Sequence, residues 1–157
     1  MRRPSGLLKW VFDAPAWLYQ RDLGRILGKR ILALTHTGRT SGRQYETVLE
    51  VVLFDRDTQE SIVASAYGTD ADWYRNIEAK PAARVRTGSS DYVPVQRFLT
   101  PEEGRAAAAR FCEEHPLEAR LVPRVLPAIG AAVPSGSDLA AAELLASLPM
   151  VAFRTGD

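Results

Sequence analysis

"LTHTGRTSGRQYETVLEVV", residues 34–52, contains two apolar stretches joined by a basic turn that lies between two glycines. β-Branched and aromatic residues flank the turn, so we expect a strand on each side, at Ile31–Thr37 and Tyr45–Phe54. The unbroken run Val51–Phe54 predicts that the end of the second strand is buried on both faces. Because the connection is short, the two strands are expected to pair antiparallel.

The rest of the chain continues this pattern of strands joined by short turns. Further strands are predicted at Ser61–Ser65, Ala83–Thr87, Tyr92–Thr100 and Val151–Arg154. Helices are predicted at about residues 6–28, at Thr69–Ala79, from Thr100 to about Glu114, and from Ser137 or Asp138 to about Leu148, with Leu117–Pro134 only partly helical. The fold class is therefore α+β, mainly β: about six mostly antiparallel strands form a small barrel with peripheral helices. A chain of 157 residues predicts one domain, residues 1–157, with an N-terminal helical segment.

Composition excludes several classes of function. The net charge is +1, which gives no general attraction to nucleic acid. Cys112 is the only cysteine, so the chain forms no internal disulfide and has no CxxC zinc site, and a reducing cytoplasm is the simplest compartment. His36 and His115 lie apart from any HExxH pattern, and we predict no metal site. Both are expected to be locally bonded or exposed histidines.

The turn Gly38–Arg43 has the composition of an anion-binding loop. It lacks the lysine-hydroxyl ending of a P-loop, and a strand follows it where a P-loop has a helix. Glycines allow backbone N–H groups to converge on one point, and arginines add charge-assisted hydrogen bonds. The alternative is an ordinary hairpin whose arginines are solvated. The residue types alone leave both interpretations open.

Three blocks of the sequence resemble one family, in the right order over roughly residues 15–115. "LTHTGRTSGRQYETVL" is similar to the Thr-Gly-Arg-x-Ser-Gly signature of the deazaflavin (coenzyme F-420)-dependent nitroreductase family. "IVASAYGTDADWYRNIEAKPAARVRTG" resembles the family's second block, and "LTPEEGRAAAARF" its next helix. The resemblance implies a split β-barrel oxidoreductase that transfers hydride from reduced F-420 to an electron-poor acceptor such as a quinone, enone or nitro compound.

The resemblance also implies a set of coenzyme-binding residues. Those expected at the phosphate and acidic tail are Arg39, Thr40, Ser41, Gly42 and Arg43. Those expected along the ring, or near the ring and phosphate through backbone groups, are Thr47, Val48, Leu49, Ala64, Ser65, Ala66 and Gly68. Those expected to close the site are Trp73, Tyr74 and Asn76.

Tyr74 is the candidate catalytic residue, as a donor of a hydrogen bond or proton, and helix packing is its alternative role. The sequence departs from the family pattern at Ala66-Tyr67, where a lysine and glycine are common, at His36, where threonine is common, and after Tyr92, where the C-terminal tyrosines are absent. Two other hypotheses for the function therefore stay open: an FMN- or haem-binding split barrel, and a non-catalytic coenzyme carrier.

The N-terminal segment combines basic and aromatic residues. Arg2, Arg3 and Lys9 lie near Trp10 and Phe12. This pattern is typical of an amphipathic helix that covers the barrel mouth, or of one that contacts an anionic membrane surface. The predicted location is the cytoplasm, with or without peripheral membrane contact. The expected partner is a small quinone-like acceptor, and the sequence leaves a homodimer open.

Overall fold

The computed structural model describes residues 28–134 and 139–157. The strands are β1 (Ile31–Thr37), β2 (Gln44–Asp55), β3 (Glu60–Ala64), β4 (Arg84–Thr87), β5 (Ser90–Tyr92), β6 (Pro94–Phe98) and β7 (Met150–Thr155). They form one sheet in the order β5-β4-β1-β2-β3-β7-β6, and every neighbouring pair is antiparallel. The sheet curls into a nearly closed barrel, which confirms the predicted fold class.

One predicted strand is wrong in its extent. Tyr92–Thr100 was expected to be continuous, but the chain changes pairing partner within it: Tyr92 pairs with β4, whereas Pro94 begins β6 and pairs with β7. Proline has no backbone N–H, so it cannot extend the ladder that β5 makes with β4. The change of partner gives seven strands where about six were predicted.

The helices lie around the sheet. They are α1 (Asp72–Ala79), α2 (Pro101–Glu114), α3 (Pro116–Ala119), α4 (Val122–Ala128) and α5 (Ala141–Ala146), with 3-10 turns at Gly28–Arg30 and Gly68–Asp70. The start of α2 is as predicted: the Glu103 amide donates to Thr100 Oγ1 (3.2 Å), and the Thr100 amide donates to Glu103 Oε1 (3.1 Å). No helix of the described residues is long and apolar enough to cross a membrane.

Some sequence predictions fall outside the described residues. The N-terminal helical segment does so except for Gly28, and with it the hypothesis of membrane contact. The predicted start of the last helix at Ser137 or Asp138 also lies there. The single-domain organisation and the homodimer stay predictions.

The middle of the sheet is buried on both faces. Side chains inside the barrel include Leu34, Val63 and Phe153, and a second apolar cluster packs the outer face against the helices. The pairing of β2 with β3 shifts between Val51 and Leu53, so that Val52 and Leu53 both belong to the helix-side cluster, whereas Val51 belongs to the barrel interior. This confirms the burial on both faces that the run Val51–Phe54 predicted.

A glutamine side chain ties one edge strand of the sheet to α1 and to the connection that precedes β4. Gln96 lies on β6; its Nε2 donates to the Ile77 carbonyl (2.9 Å), and its Oε1 accepts from the Ala82 amide (2.8 Å). Ile77 and Ala82 are buried and lie in α1 and in the connection to β4. Gln96 thus ties the β6 edge to the segment that precedes β4.

Replacement of Gln96 by leucine should therefore destabilise the barrel. The change leaves a buried N–H and a buried C=O without their partner, which costs about 1–3 kcal/mol of unfolding free energy. Urea denaturation measures the loss, with Gln44→Leu as the control, because Gln44 is exposed and its side chain makes no hydrogen bond within the described residues. Equal stability of the two variants would contradict the bridging role.

Candidate active site

The turn between β1 and β2 is a tight loop that two glycines make possible. The Gly38 amide donates to the Arg43 carbonyl (2.7 Å), and the Gly42 amide donates to the Gly38 carbonyl (2.9 Å). Gly42 has φ +70°, and a Cβ at position 38 would lie 2.4 Å from Ser41 Oγ and 2.8 Å from the Tyr45 ring. The two glycines therefore fix the loop that carries the arginines.

The two arginines of this loop have different environments. The amide and Nη1 of Arg39 both donate to Asn76 Oδ1 (3.1 and 2.9 Å), and Nη2 pairs with Asp72 at 3.1 Å. Arg43 is exposed, and its guanidinium has no partner in the part of the chain that the structure describes. Arg43 is thus available to an anion, whereas Arg39 is held against α1.

A buried polar chain leads from Arg39 into the sheet. Asn76 and His36 are only 4% and 3% exposed. Asn76 Nδ2 lies 3.0 Å from His36 Nδ1, and His36 Nε2 lies 2.8 Å from Thr47 Oγ1 on the neighbouring strand. Burial lowers the pKa of His36, and the nearby Asp72 carboxylate opposes this in part. His36 is bonded to the neighbouring strand at Thr47, as expected for a strand histidine, but its bond to Asn76 of α1 was not predicted.

The sheet is split beside this chain. β2 pairs with β1 along Gln44–Glu50, but its pairing with β3 begins only at Val51. One edge of Gln44–Glu50 therefore has no strand partner within the described residues. This edge opens a gap between β2 and the turn Ser65–Gly68, which follows β3.

A cavity of about 430 Å³ adjoins this gap, within the usual range for small-molecule sites. β2 and the end of β3 form one wall, and helices α2 to α5 form the other. The lining residues are Thr47, Val48, Leu49, Glu50, Val52, Ala64, Ala66, Tyr67, Trp73, Phe111, Glu118, Leu121, Val122, Val125, Leu126, Ile129, Leu145 and Leu148. Most of them are apolar, so the cavity suits a hydrophobic ligand.

Leu117–Pro134 supplies much of the helical wall. α3 and α4 lie in this segment, and its end is attached to the turn after β3. The Ala132 amide donates to the Ala66 carbonyl (2.7 Å), and the Tyr67 hydroxyl lies 3.4 Å from the Ile129 carbonyl. Ala66 and Tyr67, where the sequence departs from the family pattern, thus connect this helical wall to the turn after β3.

Glu50 is a charged residue of the cavity that the sequence analysis missed. Its carboxylate is accessible to solvent that enters the cavity, but the surrounding protein replaces much of its water. This desolvation raises the pKa of Glu50; Glu118 adds to the rise, and Arg30 and His115 oppose it. Glu118 itself pairs with Arg30. The sequence does show that Glu50 is unusual, because it is the one charged residue in the otherwise mostly apolar run TVLEVVLF.

The predicted site residues fall into three groups. Those that line the cavity are Thr47, Val48, Leu49, Ala64, Ala66 and Trp73. Those in the loop or bonded to it are Arg39, Thr40, Ser41, Gly42, Arg43 and Asn76. Ser65 and Gly68 form the turn after β3, where Ser65 Oγ donates to the Gly68 carbonyl at 2.6 Å. Loop, gap and cavity form one continuous region along β2.

Tyr74 lies elsewhere. Its ring packs edge-on against Trp73 and Phe98, with centroids 5.7 and 5.3 Å away, and it belongs to the cluster inside the barrel. It does not line the cavity. Burial, aided by Glu78, raises the pKa of Tyr74. This placement favours the packing role over the catalytic one.

Among the described residues, no three His, Cys, Asp or Glu side chains cluster closely enough to hold a metal ion. The two carboxylates of the cavity, Glu50 and Glu118, do not form such a group, and Glu118 is paired with Arg30.

Two solved structures have a fold similar to that of this chain. An F420-H2-dependent reductase, FDR-A, is similar over 82% of this chain and 96% of its own, with 20% identity and a TM-score of 0.51. A pyridoxamine 5'-phosphate oxidase-related, FMN-binding protein from Nostoc punctiforme PCC 73102 is similar over 90% and 78%, with 14% identity and a TM-score of 0.55. At these identities the likeness shows the fold, which is the split barrel. Comparison with curated protein sequences gives no match.

The sequence itself identifies the family. Residues 15–116, more than half of the chain, match the family model described as F420H(2)-dependent quinone reductase. The matched region includes the loop, the open edge of β2, the turn after β3 and all of α2. The prediction of an oxidoreductase that uses coenzyme F-420 is therefore confirmed, and the chain belongs to the F420H(2)-dependent quinone reductase family.

Proposed function

We propose that this chain reduces a flat, uncharged, quinone-like acceptor, with F-420 bound along β2 and the acceptor in the apolar cavity beside it. The observation that carries the proposal is the continuity of three features: the cationic loop, the unpaired edge of Gln44–Glu50 and the cavity that adjoins it. An elongated ligand with an anionic tail and a flat ring matches that order of features.

The loop fits the acidic tail. Arg43 provides an unpaired guanidinium, and the amides of Thr40 and Ser41 make no hydrogen bond within the described residues, so all three are free to bind phosphate or carboxylate oxygens. Arg39 has a different role, because Asp72 already neutralises much of its charge and Asn76 holds its donors. We assign Arg39 to shaping the loop and Arg43 to binding the anion.

The gap beside β2 fits the ring. An unpaired strand edge presents backbone N–H and C=O groups, and the heteroatoms of a deazaflavin can satisfy them. Thr47, Val48 and Leu49 provide this edge, and Ala64 and Ala66 border the opposite side with small side chains. When bound, the reduced coenzyme supplies the hydride; the protein's task is to hold the acceptor against the ring and exclude water.

The helical wall selects the acceptor. Its side chains are mostly aliphatic, and the charged groups of the cavity are the carboxylates of Glu50 and Glu118. An anionic acceptor would meet like charge in a desolvated place, whereas a neutral quinone would not. Quinones are therefore favoured over charged enones or nitro compounds. The cationic loop also suits the phosphate of FMN, and direct titration with both coenzymes measures how strongly the loop prefers F-420.

Arg43→Ala should weaken binding of F-420 by about tenfold or more, since a hydrogen bond to a charged group contributes about 1.5–3 kcal/mol. Fluorescence titration of the purified protein measures the dissociation constant. Arg56→Ala is the matched control, because it removes the same charge from the exposed turn between β2 and β3. If both variants bind equally well, Arg43 does not hold the tail.

The affinity for a neutral quinone should fall as pH rises through the raised pKa of Glu50. At a pH below that pKa the Glu50 carboxyl is protonated and compatible with an apolar ligand. At a higher pH the ligand must displace water from the charged carboxylate. Glu50→Gln should remove this dependence and keep the higher affinity across the range. Menadione binding to the protein loaded with oxidised F-420, measured at several pH values, tests this.

Glu113→Gln, on the exposed face of α2, provides the control for the change in net charge. It should follow the pH profile of the unmodified protein. A flat profile for the unmodified protein, or parallel profiles for Glu50→Gln and Glu113→Gln, would exclude a role for Glu50 in acceptor binding.

A further inference from the structure

The buried chain Arg39–Asn76–His36–Thr47 has a defined direction. Both the backbone amide and Nη1 of Arg39 donate to the same side-chain atom of Asn76, at 3.1 and 2.9 Å. Only an oxygen accepts two such bonds, so this atom is Oδ1 and the other amide atom is Nδ2. The orientation of the Asn76 amide therefore follows from its partners.

This orientation determines the tautomer of His36. Asn76 Nδ2 is a donor and lies 3.0 Å from His36 Nδ1, so Nδ1 must be the unprotonated, accepting nitrogen. The proton of the neutral ring is then on Nε2, which lies 2.8 Å from Thr47 Oγ1 and donates to it. A protonated ring would place two N–H donors against each other, at a position that is 3% exposed.

The consequence reaches the cavity. Thr47 Oγ1 accepts the hydrogen bond from His36, so the hydroxyl proton of Thr47 is not used in that bond. The Thr47 hydroxyl has no other partner within the described residues. Thr47 lines the cavity. We propose that His36 is a positioning residue that makes the Thr47 hydroxyl a hydrogen-bond donor to a carbonyl oxygen of the bound ligand.

This inference rests on the proposed function for the identity of the ligand, whose deazaflavin ring carries carbonyl groups. It also links the two ends of the site, since Arg39 belongs to the anion-binding loop and fixes Asn76. The charged groups that face His36 are Arg39 and Asp72, and Tyr45 stacks on its ring with centroids 6.0 Å apart. Burial, which lowers the pKa of His36, keeps the ring neutral at physiological pH.

The tautomer is measured without any ligand. Long-range ¹H–¹⁵N spectra of the imidazole rings distinguish Nε2–H, Nδ1–H and protonated histidine, and the sequence contains only His36 and His115. His115→Gln assigns the signals. We expect the neutral Nε2–H form for His36 at pH 7. The Nδ1–H form, or a protonated ring, would overturn the inference.

Asn76→Asp reverses the direction of the chain. A carboxylate accepts on both oxygens, so it keeps the Arg39 contact but requires His36 Nδ1 to donate. The spectra should then show a proton on Nδ1. An unchanged Nε2–H signal in Asn76→Asp would mean that Asn76 does not control the ring, and would contradict the proposal.

The effect on binding is tested with a double-mutant cycle. Thr47→Val should weaken F-420 binding about tenfold, as expected for one lost hydrogen bond, and His36→Leu should do the same. His36→Leu should have no further effect in the Thr47→Val background. His36→Gln places an amide N–H near the position of Nε2. It should therefore bind F-420 more tightly than His36→Leu and regain the affinity that His36→Leu loses. Independent, additive effects would overturn the positioning role.

The outcomes separate this inference from the proposed function. If the protein does not bind F-420 at all, the proposed coenzyme site is wrong, whatever the tautomer. If F-420 binds normally and Thr47→Val binds equally well, the coenzyme site stands and the role of His36 is wrong. Thermal melting of each variant shows whether it is folded.

Discussion

The site depends on a constraint of backbone pairing: β2 is longer than the strand that follows it. Its first half pairs with β1 alone, and β3 joins it at Val51, immediately before the register shifts between Val51 and Leu53. The bulge, which follows the first β2–β3 pair, turns two consecutive side chains, Val52 and Leu53, toward the helices. An unpaired edge inside a folded protein needs hydrogen-bond partners. In the proposed function a coenzyme with a heteroaromatic ring provides them, and the helices that pack on the outer face leave the cavity beside this edge.

Charge is distributed along β2 in agreement with this geometry. The chain has a net charge of only +1, yet an unpaired guanidinium lies in the loop before β2 and a carboxylate with a raised pKa lies at Glu50. In the proposed function the first attracts the anionic tail of F-420, and the second disfavours anions in the cavity assigned to the acceptor. Between them, the bonds Arg39–Asn76–His36–Thr47 run from loop to cavity wall. A neutral protein thus has opposite preferences at the two ends of one site.

The sequence predicted features that depend on neighbours in the chain. β-Branched runs and short turns indicated β1 to β3, and the pattern Thr-Pro-Glu-Glu indicated the capped start of α2. Family motifs indicated the loop and the residues along β2, because a motif shared by a family can mark residues that lie close together in the fold. Hydrophobic periodicity indicates only local secondary structure. The extent of Tyr92–Thr100 was wrong, since the partner exchange at Pro94 depends on where β7 lies. The contact of His36 with Asn76 joins residues 40 positions apart and was not predictable from local pattern. Glu50 was visible in the sequence, but only the helical wall opposite it shows why its charge matters.

Residue-resolved hydrogen exchange with and without F-420 tests the central claim most directly. Those amides of Gln44–Glu50 that are not bonded to β1 face the open edge and should exchange quickly in the free protein. The account predicts that saturating F-420 slows their exchange, while amides already bonded to β1 change little. If the coenzyme binds and this edge exchanges at the same rate as before, the ring lies elsewhere and the account is wrong.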